Sequence, residues 1–121
     1  MTTTGPSFIS LQVRDLERSA AFYEHALGLG RQPGPPHAVV FATRPIAFAV
    51  RDREPGVDLD AGARPGLGTA LWMHTTDIDA TLAAIRAAGG TIVVEPYDGP
   101  FGRTVTFADP DGYHVTVHDR L

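Results

Sequence analysis

The chain has 121 residues, no cysteine and a formal net charge of −4 at pH 7. That is one domain's worth of chain, able to bury roughly two-thirds of its unfolded surface. Lack of cysteine excludes disulfides, thiolate nucleophiles and cysteine-held metals, and the acidic balance argues against a nucleic-acid partner. No apolar run approaches the ~18 residues of a membrane span and no basic-then-apolar leader opens the chain, so a cytoplasmic protein without a membrane partner is expected.

After a small, polar opening (MTTTGP), residues 8–13 (FISLQV) alternate at period 2 and predict a strand. One side carries Ile9, Leu11 and Val13, the other Phe8, Ser10 and Gln12. Asp15 is placed to cap a helix in which Leu16, Ala20, Tyr23 and Leu27 recur at helical spacing, with glycines 28 and 30 ending it. A QPGPP turn precedes two short apolar strands, AVVFAT and IAFAV, joined tightly at Arg44-Pro45. Residues 51–68 are polar, rich in Gly and Pro and aperiodic, which predicts a linker or surface loop. A strand then follows over 69–75, with Leu71, Met73 and Thr75 opposite Ala70, Trp72 and His74. Asp77 caps a second helix, IDATLAAIRAA, ended by Gly89-Gly90. Next come a strand over 91–94, a Gly/Pro-rich loop over 96–102 and a closing hairpin, its strands over 104–108 and 113–118 joined by Asp109-Pro110-Asp111-Gly112.

Asp15-Leu16 and Asp77-Ile78 lie 62 positions apart, each after a strand and each opening a helix that ends in glycine. The order therefore repeats, as two copies of a strand–helix–three-strand module. The fold class is α+β: two tandem βαβββ modules with about eight strands and two main helices. They make one domain over 1–121, with module one at about 7–52, a linker at 53–68 and module two at about 69–120.

Asp15-Leu16, Phe22-Tyr23 and Leu27-Gly28-Leu29 in the first module, with Gly102-Arg103 and Phe107-Ala108-Asp109-Pro110-Asp111-Gly112 in the second, resemble the hallmarks of the vicinal oxygen chelate superfamily. That group includes glyoxalase I, ring-cleaving dioxygenases and bleomycin-resistance proteins. The resemblance implies a mixed sheet curved around a cavity, commonly in a homodimer, and in the enzymes a divalent metal held by His or Glu. Its ligand positions fall on Phe8, Ala49, Ala70 and Thr116. A Thr hydroxyl is a poor ligand and the other three side chains cannot coordinate at all. The expectation is a protein without metal or other cofactor, similar to the bleomycin-resistance branch, that sequesters an aromatic natural product. The alternative is an enzyme: a metal-dependent glyoxalase or dioxygenase type, or a metal-free isomerase or cyclase using a pocket histidine.

Strand parity puts His74, His114 and His118 on the face away from the helices, as zinc ligands or as hydrogen-bonding groups for a ligand. Trp72 shares that face, either as a stacking platform or as core filling. Phe101 is read as a lid or a loop anchor. The expected ligand-binding set is Phe8, Ser10, Gln12, Ala49, Ala70, Trp72, His74, Phe101, His114 and Thr116. No glycine-rich phosphate loop is present, and no Ser/His/Asp set stands out.

Overall fold

Both helices start where the sequence places them. Asp15 accepts a hydrogen bond from Arg18 N at 3.1 Å and opens α1 (Leu16–Leu27), and Asp77 accepts one from Ala80 N at 3.0 Å and opens α2 (Ile78–Ala87). These observations come from a computed structural model, which describes residues 2–121. Around the helices run β1 (Phe8–Val13), β2 (Arg31–Gln32), β3 (Ala38–Phe41) and β4 (Ala47–Asp52), then β5 (Leu71–His74), β6 (Thr91–Gly99), β7 (Gly102–Ala108) and β8 (His114–His118). They form two four-stranded mixed sheets, β1-β4-β3-β2 and β5-β8-β7-β6. In each sheet the module's first strand lies parallel to its last, and the remaining pairs are antiparallel.

The alternation sorts side chains as expected. Val13, Phe41, Phe48 and Val50 of the first sheet and Val105, Phe107, Val115 and Val117 of the second share one buried core with residues of both helices. Helix α1 bridges the sheets. Tyr23 packs on Phe48 with ring centroids 5.0 Å apart, while its neighbour Phe22 reaches Phe107 across 5.9 Å.

Three features differ from the sequence reading. Residues 96–99, expected as part of a loop, continue β6, and only Pro100-Phe101 turns the chain into β7. Strand β6 is an edge strand with register shifts between Ile92 and Tyr97, where the missing N–H of Pro96 is tolerated. The two-residue strand β2, too short for any periodicity to place it, supplies the third strand that the module order requires after α1. Ile9, expected among the helix-facing residues, shares its side of the edge strand β1 with Leu11 and Val13 but, unlike them, is exposed and outside the core.

The Asp109–Gly112 turn closes with Gly112 N donating to Asp109 O at 3.0 Å, and Gly112 takes a φ of +97° that other residues rarely adopt. The first module grips this turn. Tyr23 Oη donates to Asp109 Oδ2 at 2.7 Å, Arg14 N donates to Asp111 Oδ1 at 2.9 Å, and Tyr113 Oη donates to Gln12 O at 2.7 Å. The segment between the sheets is pinned at Leu59, which is buried, and by Arg14 Nη2 to Asp60 Oδ1 at 2.6 Å.

Burial pushes the Asp109 carboxyl up to about 6, against the hydrogen bonds it accepts from Tyr23, Tyr113 N and Asp111 N. Its proton affinity is therefore higher in the folded chain than in the unfolded one. The resulting stabilisation is complete below the ordinary value of 3.8 and is lost as pH rises through about 6. Asp109→Asn keeps an acceptor for the two N–H groups without the charge. Urea unfolding should show Asp109→Asn gaining on the parent protein by about 2–3 kcal/mol between pH 4 and pH 7; parallel pH profiles would refute this. Tyr23→Phe, which strips a donor from a buried carboxylate, should cost about 1–3 kcal/mol at pH 7.

Candidate functional site

Inner side chains fill the core, so the outer faces of the sheets carry the side chains free of core packing. On the second sheet, Trp72 of β5 pairs in register with Thr116 of β8, and His74 with His118. Leu71 and Met73 pack on the core while Trp72 points the other way and is 45% exposed. Phe101, at the β6–β7 turn, lies edge-on to Trp72 with centroids 5.7 Å apart and is 49% exposed. His118 sits between them, 5.7 Å from Trp72, 5.8 Å from Phe101 and 5.8 Å from His74. Trp72, Phe101 and His74 are exposed, and the buried His118 ring lies against all three.

His118 is 9% exposed, and its Nδ1 lies 2.9 Å from Arg120 O. A carbonyl oxygen only accepts, so Nδ1 carries the proton and Nε2 of the neutral ring is left as an acceptor. No protein group bonds Nε2 among the described residues. Beside it, the Thr116 and Thr106 hydroxyls bond each other at 2.7 Å.

The first sheet's outer face carries a separate concavity of about 450 Å³, lined by Phe8, Ser10, Val40, Ala47 and Ala49 together with His37 and Arg51 from its rim. Phe8 is 62% exposed there. Nothing from the second sheet lines this concavity, and nothing from the first joins the four-ring cluster.

The expected site residues therefore fall into groups. Trp72, His74, Phe101 and Thr116 come together, and Phe8, Ser10 and Ala49 come together on the other sheet. Ala70 lies exposed just ahead of β5. Gln12 is turned to the linker, its Oε1 accepting from Glu54 N at 2.9 Å. His114 also faces the linker, where burial first and the Arg64 charge second lower its proton affinity. Sequence reasoning left His118 out of the ligand set, although its parity with His74 was the signal for it. His37 and Arg51 were missed because they stand at strand ends, where alternation says little.

At the four positions where the resemblance implies metal ligands the donor set does not fit. Phe8, Ala49 and Ala70 have no donor atom, and the Thr116 hydroxyl is engaged with Thr106. Among the described residues no three His, Asp or Glu side chains converge closely enough to hold a metal ion within the chain. No helix among them is long and apolar enough to cross a membrane.

Comparison with known proteins places these observations. The lactoylglutathione lyase of Haemophilus influenzae is 31% identical over 118 residues, covering 87% of this chain and 84% of that protein. TnmS3, an antibiotic-binding protein from Streptomyces sp. CB03234, superposes with a TM-score of 0.72 at 26% identity, covering 100% of this chain and 99% of that one. A glyoxalase-related enzyme from Fulvimarina pelagi shares the fold with a TM-score of 0.79 at 24% identity, covering 98% of this chain and 89% of that one. The family model described as Glyoxalase/Bleomycin resistance protein/Dioxygenase superfamily matches residues 5–117, and the chain belongs to that superfamily.

Proposed function

We propose that this protein binds an aromatic, hydroxyl-bearing small molecule without a metal, in a site completed by a second copy of the chain. The observation that carries the reading is the cluster of exposed Trp72, Phe101 and His74 rings around His118, in a chain whose implied metal positions hold Phe8, Ala49, Ala70 and Thr116. Sequestration needs only affinity, so it tolerates the loss of every metal ligand. Trp72 supplies a stacking plane, and His118 Nε2 accepts a hydrogen bond from a phenolic or enolic hydroxyl. The antibiotic-binding character of TnmS3, similar over its whole length, supports the same direction.

Each outer face is half of a site. The concavity around Phe8, Ser10 and Ala49 and the cluster around Trp72 lie on different sheets with one core between them, so a second copy is needed to lay one against the other. A homodimer also covers exposed edge strands. The cytoplasm is the compartment we assign to it.

A second reading, an enzyme of the lyase type, is favoured by the identity to lactoylglutathione lyase and by the two histidines side by side. Elemental analysis after dialysis separates the two: binding without metal predicts no stoichiometric Zn, Ni, Fe or Mn, and one tightly held metal per chain would favour the enzyme. Sedimentation at micromolar concentration should give a species of twice the 12.9 kDa chain mass, and a lone species at the chain mass would refute the shared site.

Calorimetric titration with 1-naphthol should give saturable binding. Trp72→Ala should weaken it about tenfold or more, since stacking and buried area are lost together. Replacing 1-naphthol with 1-methoxynaphthalene, which cannot donate to His118 Nε2, should also weaken it. Equal affinity for the two probes would remove the assigned role of His118.

A further inference from the structure

A second cavity, larger than the concavity lined by Phe8 and Ala49, lies under the segment that joins the two modules. It has a volume of about 580 Å³ and lies between the segment over 57–69, the edge strand β1 and the neighbouring ends of β5 and β8. That is the size range of small-molecule sites. Its walls are mainly apolar, with Ile9 and Leu11 from β1, Leu71 from β5 and Val57, Pro65 and Leu67 from the covering segment. Its polar groups are unevenly divided. Arg64, half-buried, makes no ion pair or hydrogen bond among the described residues, although its charge reaches His114 across the cavity. Asp58 is the only carboxylate on the lining; it accepts from Asp60 N at 2.9 Å and forms no ion pair with Arg64.

We infer that this cavity is a second binding site, taking a singly charged organic anion with an apolar body, such as a medium-chain carboxylate. A guanidinium without a counter-charge beside an apolar wall is the complement of an amphipathic carboxylate. Its fork geometry accepts both carboxylate oxygens. Gln12 and Thr69 are also lining residues, and each carries a group that can donate. His114 adds an N–H in its neutral form. The covering segment is pinned at Leu59 and at Asp60, whereas Arg64 lies beyond these anchors, between glycines 62 and 66. Gly66 holds a φ of +74° with the Tyr113 ring against it, which keeps this end of the segment close over the cavity.

The site is separate from the aromatic cluster, since Trp72, Phe101 and His118 do not line it. Titration of the full chain with octanoate, followed by calorimetry, is the test. Saturable binding at one site per chain is expected, weakening as salt is raised. Arg64→Gln should weaken octanoate about tenfold or more, because a charge-assisted hydrogen-bonded contact is removed, and Arg64→Lys should lie between the two. Octanol, which keeps the apolar body without the charge, should bind the parent protein about tenfold more weakly than octanoate does. Trp72→Ala should leave octanoate binding unchanged while it weakens 1-naphthol, so failure of one site is distinguishable from failure of the other. Absence of saturable binding, unchanged affinity in Arg64→Gln, or loss of octanoate binding in Trp72→Ala would each overturn the inference.

Discussion

The buried hydrogen bond from Tyr23 to Asp109 is the contact on which the arrangement of the two modules depends. It joins a side chain from the middle of the first helix to the turn between the last two strands, 86 residues away in sequence. A charged carboxylate is costly to bury, and this one is tolerated because three donors converge on it. Arg14 and Tyr113 fasten the same turn to the end of β1. Each module alone would have a sheet with one helix and an unfinished core. Locked together by this turn, α1 and α2 share a core that takes its apolar residues from both sheets.

That lock decides which faces are free to vary. With every large inward side chain committed to the core, variation is cheapest on the outer faces, where a side chain can change without leaving a void. The implied ligand positions lie there or at the strand edge. Ala49 and Thr116 sit on strands whose inner neighbours are buried in the core, so residues at these positions can differ while the superfamily's fold is kept. The same logic leaves Trp72 exposed: moved by one residue it would point into the core beside Leu71 and Met73.

Much of this was legible in the chain itself. Period-2 alternation placed Trp72 and His74 opposite Leu71 and Met73, and Asp15 and Asp77 marked both helix starts through their capping chemistry. The repeat gave the order of elements. What alternation does not reveal is which outer faces meet, because that depends on how the sheets are held by the shared core. Phe8 and Trp72, placed together by parity alone, stand on different sheets. Nor does it reveal contacts across the repeat: the Tyr23–Asp109 bond leaves no local signal, and Asp109 reads equally well as an ordinary turn residue. The continuation of β6 through Pro96 was hidden by the residue itself, since proline disfavours strands except at edges and bulges. The cavity under the linker was hidden for a different reason, as an aperiodic segment gives no sign of what it covers.

Trp72 is the only tryptophan in the chain, so a single fluorine label isolates the central claim. Protein grown with 5-fluorotryptophan gives one ¹⁹F resonance from the ring proposed to stack on the ligand. On addition of 1-naphthol the account predicts a saturable shift of that resonance, reproduced by metal-free protein treated with a chelator. A resonance that does not move while the ligand binds elsewhere, or that moves only after a divalent metal is restored, would contradict it.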